Sequence, residues 1–208
     1  MAQFKSTTFG KISGRYGEAL ATQSKTTGKN YLRVSSVPSN PRTPKQVENR
    51  GRFGYINHVM RSFFPVFKVT FGGNTGIRQG VNIAFKNAIL GKFPELSLDY
   101  SKLEFTDGAL YQSNEVSAVK AGNNGVKIDW NYSKMAGNNP EDQVSIICFN
   151  KEADQAVLDV AVADRETGTF TAELPEIWTG GTIFCWIYFS SPEDTINSVS
   201  QFIGQVEL

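Results

Sequence analysis

Near residue 95 the chain changes its hydrophobic period. Over residues 41–92 apolar residues recur every three or four positions; beyond that point they alternate, or run together in short blocks bounded by Asn, Gly and Pro. A helical period followed by a strand period along one chain predicts an α+β fold. The predicted architecture is an N-terminal β-hairpin arm (1–40), a two-helix segment (41–96) and a C-terminal all-β sandwich (97–208).

The helical segment has a defined start. Thr43 is placed to cap, Pro44 suits the first helical position, and Gln46 completes a capping box. Phe53, Ile56, Met60, Phe63 and Phe64 then form one apolar stripe, with Pro65 expected to end the helix. Gly51 and Gly54 lie inside this helix at about 1 kcal/mol each relative to alanine, which implies close packing of another backbone there. After the break at Gly72-Gly73-Asn74-Thr75, a second stripe runs through Ile77, Val81, Ala84, Phe85 and Ala88, and Gly91 stands where a C-terminal cap belongs.

From about Ser97 the pattern is that of strands: Lys102–Thr106, Gly125–Tyr132, Gln143–Asn150, Ala156–Ala163, Gly168–Leu174, Thr182–Ser190 and Ser198–Val206. Val126, Ile128 and Trp130 alternate with Lys127, Asp129 and Asn131, the period of a half-buried strand. The turns include Ala121-Gly122-Asn123-Asn124 and Gly137-Asn138-Asn139-Pro140. Seven short strands in about 110 residues is the count of a two-sheet sandwich. At the other end, Gly17–Thr22 and Asn30–Ser35 flank the turn-forming Lys25-Thr26-Thr27-Gly28-Lys29, a hairpin with a basic tip. Gly10, Gly14 and Gly17 lack the spacing of a dinucleotide fingerprint and read as bends in an extended arm.

Charge is sorted along the chain. Residues 1–92 hold fifteen Lys and Arg against Glu18 and Glu48, a balance of +13, whereas residues 93–208 hold six against eighteen acids, a balance of −12. The net +1 conceals two oppositely charged halves. Such a chain suits an anionic partner at one end, or head-to-tail contact with its own copies.

The longest apolar run, Ile183–Phe189, is too short to span a bilayer and reads as a buried strand. The first eight residues lack the apolar core of a secretory signal, and neither end carries a lipidation motif, so the expected location is the cytoplasm, a virion or an extracellular particle. Cys148 and Cys185, each in an apolar strand, read as reduced core thiols. With one histidine they are too few for a four-ligand zinc site, and no metal or cofactor is expected.

Strand count, Trp130 in the second strand and the aromatic run Phe184–Phe189 in the sixth give residues 99–208 a resemblance to fibronectin type III-like and immunoglobulin-like sandwiches. That resemblance places Cys148 and Cys185 on the third and sixth strands, neighbours in one sheet. Further motifs are Gly10-Lys11-Ile12-Ser13-Gly14, Gly28-Lys29-Asn30-Tyr31-Leu32-Arg33, Asn40-Pro41-Arg42-Thr43-Pro44-Lys45-Gln46 with Arg50, and Leu98-Asp99-Tyr100-Ser101-Lys102. Through them nearly the whole chain resembles a family of uncharacterised proteins of Bacteroidota-type bacteria and their mobile elements. The Asn-Pro-Arg-Thr-Pro segment is the most specific part. The resemblance implies no catalytic residues, and a similar segment in phage-encoded proteins implies a virion or prophage structural role.

The residues themselves carry no catalytic constellation. His58 is the lone histidine and lies beside the apolar stripe; Glu141-Asp142 and Glu193-Asp194 flank prolines and read as solvated turns. No enzymatic activity is expected. The leading expectation is a structural or assembly subunit, a homo-oligomer or a component joined to other particle proteins through its basic arm. Two alternatives stand beside it. Lys25, Lys29 and Arg33 on the hairpin, with Arg42, Lys45, Arg50, Arg52 and Arg61 around the first helix, suit phosphates or an acidic protein, and Tyr16 and Tyr31 suit base stacking, as in a sequence-nonspecific nucleic-acid binder. A surface- or carbohydrate-binding module would use Trp178 and Tyr111 as its platform. No membrane partner is expected.

Overall fold

The computed structural model describes residues 2–4 (as backbone), 13–35, 40, 42–134, 138–178, 180–193 and 195–208. Gly10, Lys11, Ile12, Pro41, Gly137, Thr179 and Asp194, which fall within the segments named above, lie outside the described residues. The chain divides into two compact units, Met1–Thr43 and Pro44–Leu208.

The first unit is a four-stranded antiparallel sheet built from β1 (Ala2–Phe4), β2 (Gly14–Tyr16), β3 (Ala19–Gln23) and β4 (Asn30–Val34), in the order β1-β4-β3-β2. The expected hairpin is its centre, β3 on β4. Gly17, at φ +59°, opens the tight turn from β2 to β3, a conformation that favours glycine. Ser24 organises the β3–β4 turn: its carbonyl accepts from the Gly28 amide at 2.9 Å and its hydroxyl from the Thr27 amide at 3.2 Å.

The second unit has three layers. Helices α1 (Pro44–Val59), α2 (Phe64–Thr70) and α3 (Gly73–Asn87), followed by the hairpin β5 (Ile89–Lys92) and β6 (Glu95–Leu98), form the first. The second is the sheet β10-β9-β12-β13 (β9, Gln143–Asn150; β10, Gln155–Asp164; β12, Thr182–Ser190; β13, Gln201–Glu207), and the third is β11-β8-β7 (β7, Val116–Ala121; β8, Gly125–Trp130; β11, Thr169–Glu173). Seven strands in a four-on-three arrangement make the expected sandwich.

The middle sheet is apolar on both faces, and its period-2 alternation sorts residues between two cores. Val144, Ile146 and Cys148 of β9, with Ile183, Cys185, Ile187 and Phe189 of β12, pack against Val126, Ile128, Trp130 and Ala172 of the smaller sheet. Ile147, Phe149, Phe184, Trp186 and Tyr188 point the other way, into Ile56, Met60, Phe63, Val66, Phe67, Val81 and Ala84 of the helices. The seven-residue apolar run is thus a strand buried on both sides. Phe63 sits at the centre of the helix-side core, its ring 4.5 Å from Phe149 and 5.2 Å from Phe105.

Several expectations are corrected. The helices share a core with the middle sheet, so residue 97 opens no separate domain. The two expected helical segments are present, but the first runs on past Pro65 to Thr70: a 3₁₀ turn at Met60–Phe63 interrupts it, and Pro65 occupies the first turn of α2, where its missing N–H is harmless. Gly91, at φ +85°, lies inside β5, four residues after the end of α3. Residues 103–106 are extended but join no ladder, because the Phe105 amide donates to Ser200 Oγ (2.8 Å) and Thr106 Oγ1 to the Ser198 carbonyl (2.8 Å). The first sandwich strand is β7 instead.

A buried ion pair pins the end of the sandwich where the β8–β9, β10–β11 and β12–β13 connections meet. Arg165, 1 % exposed, places Nη1 3.2 Å from Asp142 Oδ2, donates through Nη2 to the Tyr111 carbonyl at 2.7 Å, and lays its guanidinium 4.1 Å from the Phe189 ring centroid. Its own carbonyl accepts from Trp130 Nε1 at 2.8 Å. Removing one member of such a pair strands the other charge without solvent. Arg165→Met is therefore expected to destabilise the protein by about 3–5 kcal/mol, read from the urea midpoint, with part of the loss recovered in Arg165→Met/Asp142→Leu. An unchanged midpoint in the single variant would show the pair to be dispensable.

Candidate interaction surfaces

In the N-terminal unit, residues directly opposite one another across the ladder share a face. Tyr16, Ala19 and Val34 form one row, and Ala21 with Leu32 lies in the next. Among the described residues of this unit only Ala21 and Asn30 are buried; Tyr16, Leu32 and Val34 are exposed, Val34 at 77 %. The opposite face carries the row Arg15–Leu20–Arg33, both arginines exposed. One side of the sheet carries Tyr16, Leu32 and Val34, the other both arginines with Leu20 and Tyr31.

The eight basic residues singled out from the sequence fall into two groups. Lys25 and Lys29 bound the exposed β3–β4 turn, Arg33 lies on β4, and Arg42, exposed and at φ +43°, precedes α1. Lys45, Arg50 and Arg61 are exposed on α1 and its 3₁₀ extension. The Lys45 and Arg50 positions diverge by about 140° around the helix, so they form no single stripe. Arg52 is half-buried with its guanidinium 5.4 Å from the Phe85 ring centroid, a cation–π contact that turns part of its charge toward protein.

The acidic counterpart was not anticipated as a site. Backbone and side-chain bonds gather the loops at the Arg165 end of the sandwich: the Glu166 amide donates to the Pro140 carbonyl at 3.2 Å, and Gln143 Nε2 bridges the Glu141 carbonyl (3.1 Å) and Asp164 Oδ1 (2.6 Å). Glu115, Glu141, Asp164 and Glu166 are exposed there, with Tyr111 62 % exposed beside them. The excess of acids after residue 93 was the available signal; its concentration at one end depends on which loops meet.

Other candidates have structural roles. Trp178 is 1 % exposed and donates through Nε1 to Gln155 Oε1 at 3.1 Å, so it is a core plug and offers no carbohydrate platform. Asp142 is committed to Arg165, and His58 is exposed on α1. Among the described residues no three His, Cys, Asp or Glu side chains gather as metal ligands, and no helix is long and apolar enough to cross a membrane. Three carboxylates depart from ordinary acidity among the described residues: hydrogen bonding from Ser101 lowers Asp99, hydrogen bonding from the Thr169 hydroxyl and then from Lys127 lowers Asp129, and burial raises Asp159.

The match to known sequences spans both units. Residues 11–204 match a family of unknown function, DUF6266. The chain belongs to that family. No curated protein matches it. The family's extent takes in most of the N-terminal sheet, the helices and nearly all of the sandwich, so the basic and acidic parts belong to one family unit.

Cys148 and Cys185 face each other across β9 and β12 with Sγ atoms 4.0 Å apart, both free and buried. The neighbouring Cys185 and then burial push the Cys148 thiol up, so little thiolate forms near neutral pH. Neither cysteine is expected to react with Ellman's reagent at pH 8 until the protein unfolds. Prompt labelling of the native protein would show that the sandwich core opens.

Proposed function

We propose that this protein is a non-enzymatic assembly subunit that associates through its N-terminal sheet, as a homo-oligomer or with other proteins of a phage or prophage-like particle. The observation that carries this reading is the apolar surface left exposed on that sheet. Ala21 and Asn30 are buried on this face, yet Tyr16, Leu32 and Val34 beside them remain exposed, and a small sheet gains stability when such surface is covered. Among the described residues β1 and β2 are its outer strands, which offer unpaired backbone to a neighbouring chain. The segregated charge adds orientation, since basic and acidic parts of successive copies attract. The resemblance of the Asn40–Gln46 region to phage-encoded proteins, and of the chain to proteins of Bacteroidota-type bacteria and mobile elements, favours the particle setting; the protein is made in the cytoplasm and carried into the particle.

Size-exclusion chromatography with light scattering is expected to show oligomers that weaken as ionic strength approaches about 1 M, where the screening length falls to about 3 Å and only the apolar contact remains. Removing residues 1–43 should leave a folded monomer, because both hydrophobic cores lie in Pro44–Leu208. A salt-insensitive monomer for the whole chain would overturn the reading.

A second reading has its own observation. Arg15 and Arg33 flank Leu20 in one row of the basic face, and Tyr31 lies on that same face one residue pair along. Cations with an adjacent aromatic suit single-stranded nucleic acid. Gel shift with random-sequence DNA would then show affinity falling steeply between about 50 and 200 mM salt, and lost in Arg15→Glu/Arg33→Glu. Absence of any shift at low salt removes this reading.

A further inference from the structure

A glycine inside a helix is usually explained by what lies against it. Of the two in α1, Gly51 is explained within the molecule: a Cβ there would strike the Phe93 ring. Gly54, three residues on and therefore adjacent on the helix surface, meets nothing within 4 Å. With Asn49, Arg50, Phe53 and Asn57, all on α1, it lines a shallow groove of about 450 Å³ that is open to solvent. Phe53 remains 47 % exposed there, although its ring rests 5.3 Å from that of Phe85. The molecule thus shows one filled aromatic slot on α1 and, beside it, an open slot with a helix-weakening glycine at its base.

We propose that this groove receives the acidic sandwich end of a second copy of the chain, with Tyr111 entering over Gly54. The inference rests on the assembly reading above and names a second contact. Charge selects the occupant. Arg50 lines the groove, and residues 44–92 as a whole carry eight Lys and Arg against Glu48, so the helical layer around it attracts an acidic occupant. Residues 1–43, with seven cations against Glu18, share the helices' sign, whereas residues 93–208 carry −12. The acidic end also supplies the side chain. Tyr111 is exposed, yet its carbonyl is held at 2.7 Å by buried Arg165, so the ring is presented from a fixed backbone beside Glu115, Glu141, Asp164 and Glu166. A tyrosine on a rigid support filling a pocket with charges around it is the usual composition of an interface hot spot. Groove and knob occupy different surfaces, so the contact is heterologous and extends copies into a ring or an open chain.

The full-length chain tests this. With benzoylphenylalanine in place of Asn57, irradiation should yield a cross-linked dimer whose attachment maps to residues 107–115 or 139–166 of the other copy. Gly54→Leu fills the slot and Tyr111→Ala removes the knob; each should weaken self-association at least about tenfold by sedimentation equilibrium, as truncation of a hot spot does. Gly54→Ala should raise Tm by roughly 2–4 °C, since a glycine without an internal contact only weakens its helix. Unchanged association in both Gly54→Leu and Tyr111→Ala overturns the proposal, as does cross-linking to residues 1–43, to another protein, or to nothing. Association that ignores these variants but is lost on removing residues 1–43 rejects the groove and leaves the assembly reading standing. A chain that is monomeric throughout rejects both.

Discussion

Two strands, β9 and β12, have no solvent side, and the second unit is organised around that fact. A strand with one wet face needs only one partner layer; a strand apolar on both faces needs two. Helices meet that need on one side, and the three-stranded sheet meets it on the other. Phe63, Phe105, Phe149 and Trp186 fill the space between helices and sheet, where removal of a ring of this size costs about 3–5 kcal/mol. Val144, Ile146, Cys148, Cys185 and Ile187 fill the opposite space with smaller side chains.

This layering also arranges the charge. The helices are the only elements before β5 in the second unit, so their excess of cations lies on the layer that covers one face of the middle sheet. The acids lie largely in the connections of the sandwich. At one end those connections are drawn together by Arg165, the one cation in that cluster that is removed from solvent and spent on Asp142 and backbone carbonyls.

Much of this was legible beforehand, for identifiable reasons. The hairpin β3–β4, the approximate limits of β9, β10 and β12 and the alternation that buries Trp130 follow from local pattern and turn residues, which act over a few positions; the placing of Cys148 beside Cys185 came from the resemblance to immunoglobulin-like sandwiches. Strand β7 was missed because Val116-Ser117-Ala118-Val119-Lys120-Ala121 alternates weakly and leaves Val119 exposed. Residues 103–106 were misread because Leu103 and Phe105 alternate like a strand although the side chains of Thr106 and Ser200, with the Ser198 carbonyl, take the place of a ladder. Phe53 had the spacing of a core residue; the helix direction left it at the edge, over Phe85.

Residue order alone was enough for the types of element, their approximate limits, the α+β class and the split of charge, because these depend on neighbours a few residues apart. Which layers face each other, that the helices and the sandwich share a core, that Trp178 is interior, and that Tyr111 stands among acids while Gly54 faces open space were decided by contacts between residues far apart in sequence, some, such as Phe63 with Trp186, more than a hundred positions apart. Those contacts depend on how whole faces fit together, and no window of sequence contains two faces at once.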